Sequence, residues 1–303
     1  MIHLYQIKVK QPIKEAIMDK ALKKTYKVKQ LMDGVYGITS SAVACYLIVG
    51  KEKACVVDTA YGFADLKAMV REITDLPLVV FNSHGHIDHT GGNFYFDTPV
   101  CIHEKDVEVY KRHNESSFHR YMEKTLKVFN RIFFWRILVP KHPEETDEGR
   151  MNFNNWHFVK DGDRFDLGDL TAEVIEIPGH TKGSIAIWFK EKKLIITSDG
   201  ANAATWLFLP ESTDLPTYIE SLHKLERYDF EQILTGHSLT LFTRKDLENW
   251  IEVAEHPGLD HAKKEKGGDY APGVLPLRVW AKDDVKHKGP SIVIDPERIK
   301  ANG

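Results

Sequence analysis

An apolar, β-prone run, Val79-Val80-Phe81, leads through Asn82-Ser83 into His84-Gly85-His86-Ile87-Asp88-His89 and stops at Thr90-Gly91-Gly92. The run reads as a buried strand, and a glycine-bounded loop at its carboxyl end leaves three imidazoles and one carboxylate free to converge. His and Asp suit zinc and other first-row divalent metals, and four of them within six residues exceed what one tetrahedral structural site uses. Two neighbouring metals are the natural reading. The bland alternative is a solvated His-rich surface loop. The two differ in what they demand of the rest of the chain, because a two-metal cluster needs further ligands from later strand ends.

Those ligands are present. A strand over 170–177 stops at Pro178-Gly179-His180-Thr181-Lys182-Gly183-Ser184, a hairpin over 184–197 ends in Ser198-Asp199-Gly200, and a strand over 232–234 ends in Thr235-Gly236-His237. Each strand end presents His or Asp beside glycine. Upstream, strands over 35–38, 44–49 and 54–57 form a meander that closes on Asp58-Thr59. Asp58 is either a turn residue or an outer group that hydrogen-bonds a metal-ligating histidine and fixes its tautomer. A helix over 63–73, with apolar residues at helical spacing, precedes the strand Leu78–Phe81. Strand, helix, strand and ligand loop in that order place the site where open α/β sheets hold their ligands. Both halves repeat a hairpin followed by helices, which predicts two βα halves packed sheet to sheet with helices outside.

With 303 residues and 42% hydrophobic content the chain can bury a large core. A formal net charge of -3 and the absence of a long basic run argue against a nucleic-acid surface. Cys45, Cys55 and Cys101 lie in apolar segments without paired spacing, as reduced core thiols do. No signal-peptide pattern or membrane-length run is present, so the expected setting is the cytoplasm, with no membrane partner.

The segment from Asn114 to Gly149 mixes His119, Tyr121, Phe129, Phe133, Phe134 and Trp135 with many charges. It reads as a helical pair packed on the body or as a lid over the metals. Trp206, Phe208 and Leu209 follow Asp199 in a Pro-bounded loop and are candidates for a pocket wall, with Asn202, His103 and Tyr121 behind them. The main domain is expected over 1–256, with an aromatic-rich insertion at about 104–150. Residues 257–303 form an extension packed on the body or on a partner subunit, so a homodimer is one assembly it allows.

The set His84-x-His86-x-Asp88-His89, His180, Asp199 and His237 resembles the metallo-β-lactamase superfamily in motif order over about 35–250. The resemblance implies an α/β fold, a four-layer αββα sandwich. It implies His84, His86 and His180 on one divalent metal, Asp88, His89 and His237 on a second, and Asp199 bridging them, with zinc first and iron or manganese as alternatives. Asp58 matches the family's aspartate at an early strand end. Asp199 together with His89 points away from antibiotic-hydrolysing lactamases and toward hydroxyacylglutathione hydrolases and lactonases. The 178–184 loop resembles the thioesterase-type branch. Quorum-signal lactonases carry a tyrosine near the place of Asn202 and Ala203, and a flavodiiron-like site has Glu in the place of His86.

The expected activity is hydrolysis of a small thioester, lactone or other ester. A metal-bridged hydroxide attacks a polarised carbonyl, and Asp88 orients the nucleophile and shuttles its proton. A mononuclear iron persulfide dioxygenase is the rival reading. A ligand-binding protein with a vestigial hydrolase site ranks behind both, because all seven ligands are intact.

Overall fold

Along Val43–Val49, successive side chains enter different cores: Tyr46 and Ile48 face one cluster of buried residues, and Cys45 and Leu47 face another. This period of two on a strand buried on both faces puts a layer on each side of the sheet. The computed structural model describes residues 25–40, 43–115, 148–265 and 271–297. Tyr121 and the aromatic stretch around it, expected to form a helical pair or lid, lie outside the described residues.

The first sheet runs in chain order: β1 (Lys27–Met32), β2 (Val35–Ser40), β3 (Val43–Val49), β4 (Ala54–Val57), β5 (Leu78–Phe81), β6 (Val100–Ile102) and β7 (Trp156–Phe158). Its first four strands are antiparallel, and β4 to β7 are parallel. Parallel neighbours need a crossover, which α1 (Leu66–Arg71) supplies between β4 and β5. The expected helix over 63–73 is shorter because Asp65, in extended conformation, caps it by accepting the Ala68 amide at 2.9 Å. The strand Val100–Ile102 ends just before His103. His103 turns the chain by accepting the Lys105 amide at 3.1 Å.

The chain continues with β8 (Arg164–Asp166), β9 (Thr171–Glu176), β10 (Ile185–Phe189), β11 (Leu194–Ser198), β12 (Ala204–Leu207), β13 (Gln232–Thr235) and β14 (Ser238–Phe242). The second sheet has the order β14-β13-β11-β10-β9-β8. Tyr46, Val57 and Phe81 of the first sheet meet Val174, Ile187 and Ile196 of the second in one core. The outer face of the first sheet packs on Leu66, Met69 and Val70 of α1. The outer face of the second packs on Leu222 and Leu225 from the helix Leu215–Glu226, and on Trp250 and Ile251 from the helix Arg244–Glu255. Helix, sheet, sheet and helix are the four layers expected from the sequence.

A third sheet was not foreseen. Its order is β12-β17-β16-β15, with β15 (Lys263–Lys264), β16 (Leu277–Trp280) and β17 (Ser291–Ile294) from the C-terminal extension. Because β12 pairs in parallel with β17 from Ala204↔Ser291 to Leu207↔Ile294, the extension reaches the segment that follows Asp199.

Candidate metal centre

The loops at the carboxyl ends of β5, β9, β11 and β13 meet at one end of the sandwich. His84, His86 and His180 offer ligand atoms that lie within 4.8 Å of one another, as do His84, His89 and Asp199, and Asp88, His89 and His237. All seven residues singled out by spacing are therefore brought together. Asp199 Oδ2 stands between the groups, 3.9 Å from His180 Nε2, 3.5 Å from His89 Nε2 and 3.0 Å from His237 Nε2.

The protons can be assigned from the partners. His180 Nδ1 lies 2.8 Å from the Trp206 carbonyl, which only accepts, so the proton is on Nδ1 and Nε2 is bare. His86 Nε2 lies 2.7 Å from Glu211 Oε1, which leaves Nδ1 bare. Asp58 Oδ2 accepts from His89 Nδ1 at 2.8 Å and from the Ser83 hydroxyl at 2.9 Å. Ser83 has then spent its only proton, so it accepts from His84 Nδ1 at 2.9 Å, and His84 Nε2 is bare too. Bare His86 Nδ1 faces bare His84 Nε2 and bare His180 Nε2, each at 3.0 Å. No proton is available to bind these pairs, whereas nitrogens on a tetrahedral zinc at about 2.0–2.1 Å stand at close to this separation. His89 Nε2 and Asp199 Oδ1 are buried with no hydrogen-bond partner among the described residues. Convergent lone pairs and orphaned acceptors are the donor set a divalent cation satisfies.

In the group of His84, His86 and His180 electrostatics agree with this assignment. Burial, with His89 and His86 nearby, holds His84 well below the ordinary imidazole range, and burial beside His86 brings His180 down to about 4. In the second group burial works against charge on His89, and the carboxylates of Asp88, Asp199 and Asp58 outweigh it, keeping its pKa well above the ordinary value. His237 is likewise raised, against burial, to about 9, chiefly by Asp199. One group repels protons and the other attracts positive charge.

The backbone around the centre is strained and held. Asp58 and Ser198 adopt positive φ, 65° and 49°, at a cost of about 1–3 kcal/mol each. The bonds to Asp58 from the Ser83 amide at 2.8 Å and the Ser198 hydroxyl at 2.8 Å lock both. The turn carrying His237 is tied to the first sheet through Ala44 N–H to Gly236 O at 2.8 Å and Tyr46 O–H to Thr235 O at 2.6 Å. At Gly236 a Cβ would lie 2.2 Å from Asp199 Oδ1 and 2.8 Å from the His89 ring, so only glycine leaves room there.

The family model of the metallo-β-lactamase superfamily matches residues 38–237. The chain belongs to this superfamily. It is 26% identical over 234 residues to the human (Homo sapiens) acyl-coenzyme A thioesterase MBLAC2, covering 70% of this chain and 81% of that protein. A hydroxyacylglutathione hydrolase of Nostoc punctiforme is 30% identical over 146 residues, covering 48% of this chain and 42% of that one. Among solved structures, the metallo-β-lactamase of Pontibacter korlensis superposes with a TM-score of 0.52 at 16% identity, covering 76% of this chain and 99% of that one, a likeness of fold.

On this metallo-β-lactamase scaffold the centre opens into a cavity of about 450 Å³. Its metal side is His86, Asp88, His180, Asp199 and His237, and its wall includes Tyr61, Ile87, Trp206, Leu209 and Phe242. Asn202, Trp206 and Leu209, expected at a pocket wall, line it. Asn202 also shapes the turn after Asp199, accepting the Ala204 amide at 2.6 Å. Phe208 is corrected: it is fully buried with Leu209, Ala271 and Val293, because it lies past the end of β12 and fills the space against β17. His103 does not line the cavity either and bonds to Glu176 at 3.2 Å.

Two buried carboxylates had no signal in the sequence. Asp106, fully buried, accepts Gly85 N–H at 2.7 Å and the Thr181 hydroxyl at 2.7 Å on one oxygen, and Gly183 N–H at 2.8 Å on the other. It thereby joins the loop of His84 and His86 to the loop of His180. Glu211 is held well below the usual carboxylate range, against burial, by hydrogen bonds from His113 and His86.

The histidine shifts predict how the metal-free superfamily fold responds to pH. His180, depressed to about 4, stays neutral in the folded chain while its unfolded counterpart takes a proton near ~6.5, so stability falls as pH drops from about 6.5 to 4. His237, raised to about 9, contributes stability below ~6.5 that is lost as pH rises toward 9. Thermal unfolding of chelator-treated protein is expected to be latest near neutrality and earlier on both sides. A melting temperature that climbs steadily from pH 4 to pH 9 would contradict these assignments.

Proposed function

We propose that this chain is a metal-dependent hydrolase of thioesters with an apolar acyl group, and that it works with two divalent ions, zinc in the first instance. The observation that carries the reading is the set of unprotonated histidine nitrogens converging beside an apolar cavity wall. The similarity to an acyl-coenzyme A thioesterase over most of both chains supports the thioester. His84, His86 and His180 would hold one ion, Asp88, His89 and His237 the other, and Asp199 would serve both. Bound there, such ions supply Lewis-acid polarisation of a carbonyl and acidify water to a pKa of about 7.

The chain's own residues do the rest. Asp88 lines the cavity, and His89 and His237 hold it ionised against burial, so its carboxylate can take a proton from the attacking water and return it to the leaving thiolate. In the overall step water adds to the acyl carbon, the C–S bond breaks, and a carboxylic acid and a thiol leave. Trp206, Leu209 and Phe242 exclude water along the acyl group. Among the described residues no Lys or Arg lines the cavity, which favours an uncharged acyl part over an anionic one.

The test is elemental analysis of the purified protein, followed by hydrolysis of acyl-coenzyme A thioesters of increasing chain length beside S-lactoylglutathione and a simple lactone. Two metal equivalents and kcat/KM rising with apolar acyl length are expected. One equivalent of iron with oxygen uptake on glutathione persulfide would replace this reading with the dioxygenase one. Trp206→Ala is expected to raise KM for the longest good substrate by about tenfold, the equivalent of roughly 1–2 kcal/mol of lost apolar contact. An unchanged KM across the series would remove Trp206 from the acyl site.

A further inference from the structure

The loop after β12 touches two of the three histidines that converge first. Glu211, only 6% exposed, reaches across to His86 Nε2 at 2.7 Å. Its own backbone carbonyl accepts Lys182 N–H at 3.1 Å, the Ser212 hydroxyl donates to the His180 carbonyl at 2.8 Å, and Thr213 N–H donates to the Gly179 carbonyl at 2.9 Å. One short segment thus grips His86 by its side chain and the His180 loop by its backbone.

The remaining contacts of Glu211 show what its charge is for. Oε2 meets the Arg112 guanidinium at 2.5 Å, while Oε1 faces both His86 Nε2 and His113 Nε2, the latter at 3.3 Å. His113 stacks on His86 with ring centroids 4.5 Å apart and planes 20° from parallel. His86, His113 and Glu211 are close enough to be considered as a cation site of their own. Two features argue against it. Lone pairs of stacked, near-parallel rings do not converge on one ion, and the carboxylate already carries a guanidinium. What the cluster holds is protons: a carboxylate only accepts, so Nε2–H of His86 points at Glu211 and Nδ1 is left to the centre.

We propose that Glu211 is a positioning residue for the metal centre, fixing His86 in the Nε2–H tautomer and aiming its Nδ1 at the first ion, with Arg112 serving only to neutralise the buried carboxylate. The inference rests on the metal reading above. Removing such an outer partner typically weakens metal affinity by about 10–100-fold.

The experiment compares zinc-loaded wild type, Glu211→Gln and Arg112→Met by equilibrium dialysis against a competing chelator, with long-range 1H–15N spectra of the imidazoles and a melting curve for each. In Glu211→Gln one of two zinc equivalents should be lost at about 10–100-fold lower chelator concentration while the protein still melts cooperatively. Arg112→Met should keep both equivalents, because the carboxylate still faces His86. Equal loss in the two variants would mean that only the ion pair matters, and the proposal fails. It fails also if Glu211→Gln holds zinc as wild type does. Wild type alone supplies an independent check: His86 must show its proton on Nε2 and a metal-shifted Nδ1, and the opposite assignment overturns the proposal whether or not the variants fold. Wild type that takes up no zinc overturns the metal reading along with it, whereas full zinc retention in Glu211→Gln overturns this inference alone.

Discussion

On the proposed thioesterase reading, Asp88→Asn is expected to lower kcat by about 10²–10⁴-fold, the range for removal of a positioned proton-transfer group. The amide matches the carboxylate in size and keeps one oxygen toward His89 and His237, which lie 3.5 and 3.7 Å from Asp88 Oδ2. It cannot accept a proton. Fold and zinc content should therefore change little while turnover collapses, and steady-state kinetics on protein of measured zinc content is the check. Wild-type kcat in this variant would remove Asp88 from the chemistry. If zinc were lost in parallel, its role would be ligation alone.

Asp106→Ala should have the largest effect on stability. Two buried donors, Gly85 N–H and Gly183 N–H, would lose their acceptor at once, and the Thr181 hydroxyl would be left with the Ser184 hydroxyl at 2.8 Å alone. Each buried donor left unsatisfied costs about 1–3 kcal/mol. With partial relaxation the sum is roughly 3–5 kcal/mol, a large part of the ~5–15 kcal/mol that holds a typical domain together. The same change frees the loop of His84 and His86 from the loop of His180, so zinc affinity should fall with stability. Denaturant unfolding of the metal-free proteins isolates the first effect. A difference below about 1 kcal/mol would show that solvent or neighbouring groups replace the carboxylate.

Much of the layout was legible because it depends on neighbours in sequence. The strands Ala54–Val57 and Leu78–Phe81 begin and end where the apolar runs and turn residues place them. The seven metal-site candidates were legible for a related reason. A ligand cluster on an α/β sandwich must come from strand ends, and His or Asp beside glycine at a strand end is a local pattern. The local pattern gives way where a side-chain cap or a strand from far along the chain overrides it. Asp65 shortens α1 by capping it, and a strand forms over Ala204–Leu207, where a loop was expected, because β17 supplies its partner.

The layer order and the set of side chains able to form a metal-binding cluster could be read from the chain alone, since both follow from periodicity and from chemistry carried on a few consecutive residues. How those side chains are protonated and aimed depends on contacts between distant parts of the chain. Glu211 meets His86 across 125 residues of chain and Asp106 meets Thr181 across 75. In sequence a buried carboxylate is indistinguishable from a solvated one. It becomes a partner only when the packing of two sheets brings loops from both halves to the same end of the core and buries the groups they carry.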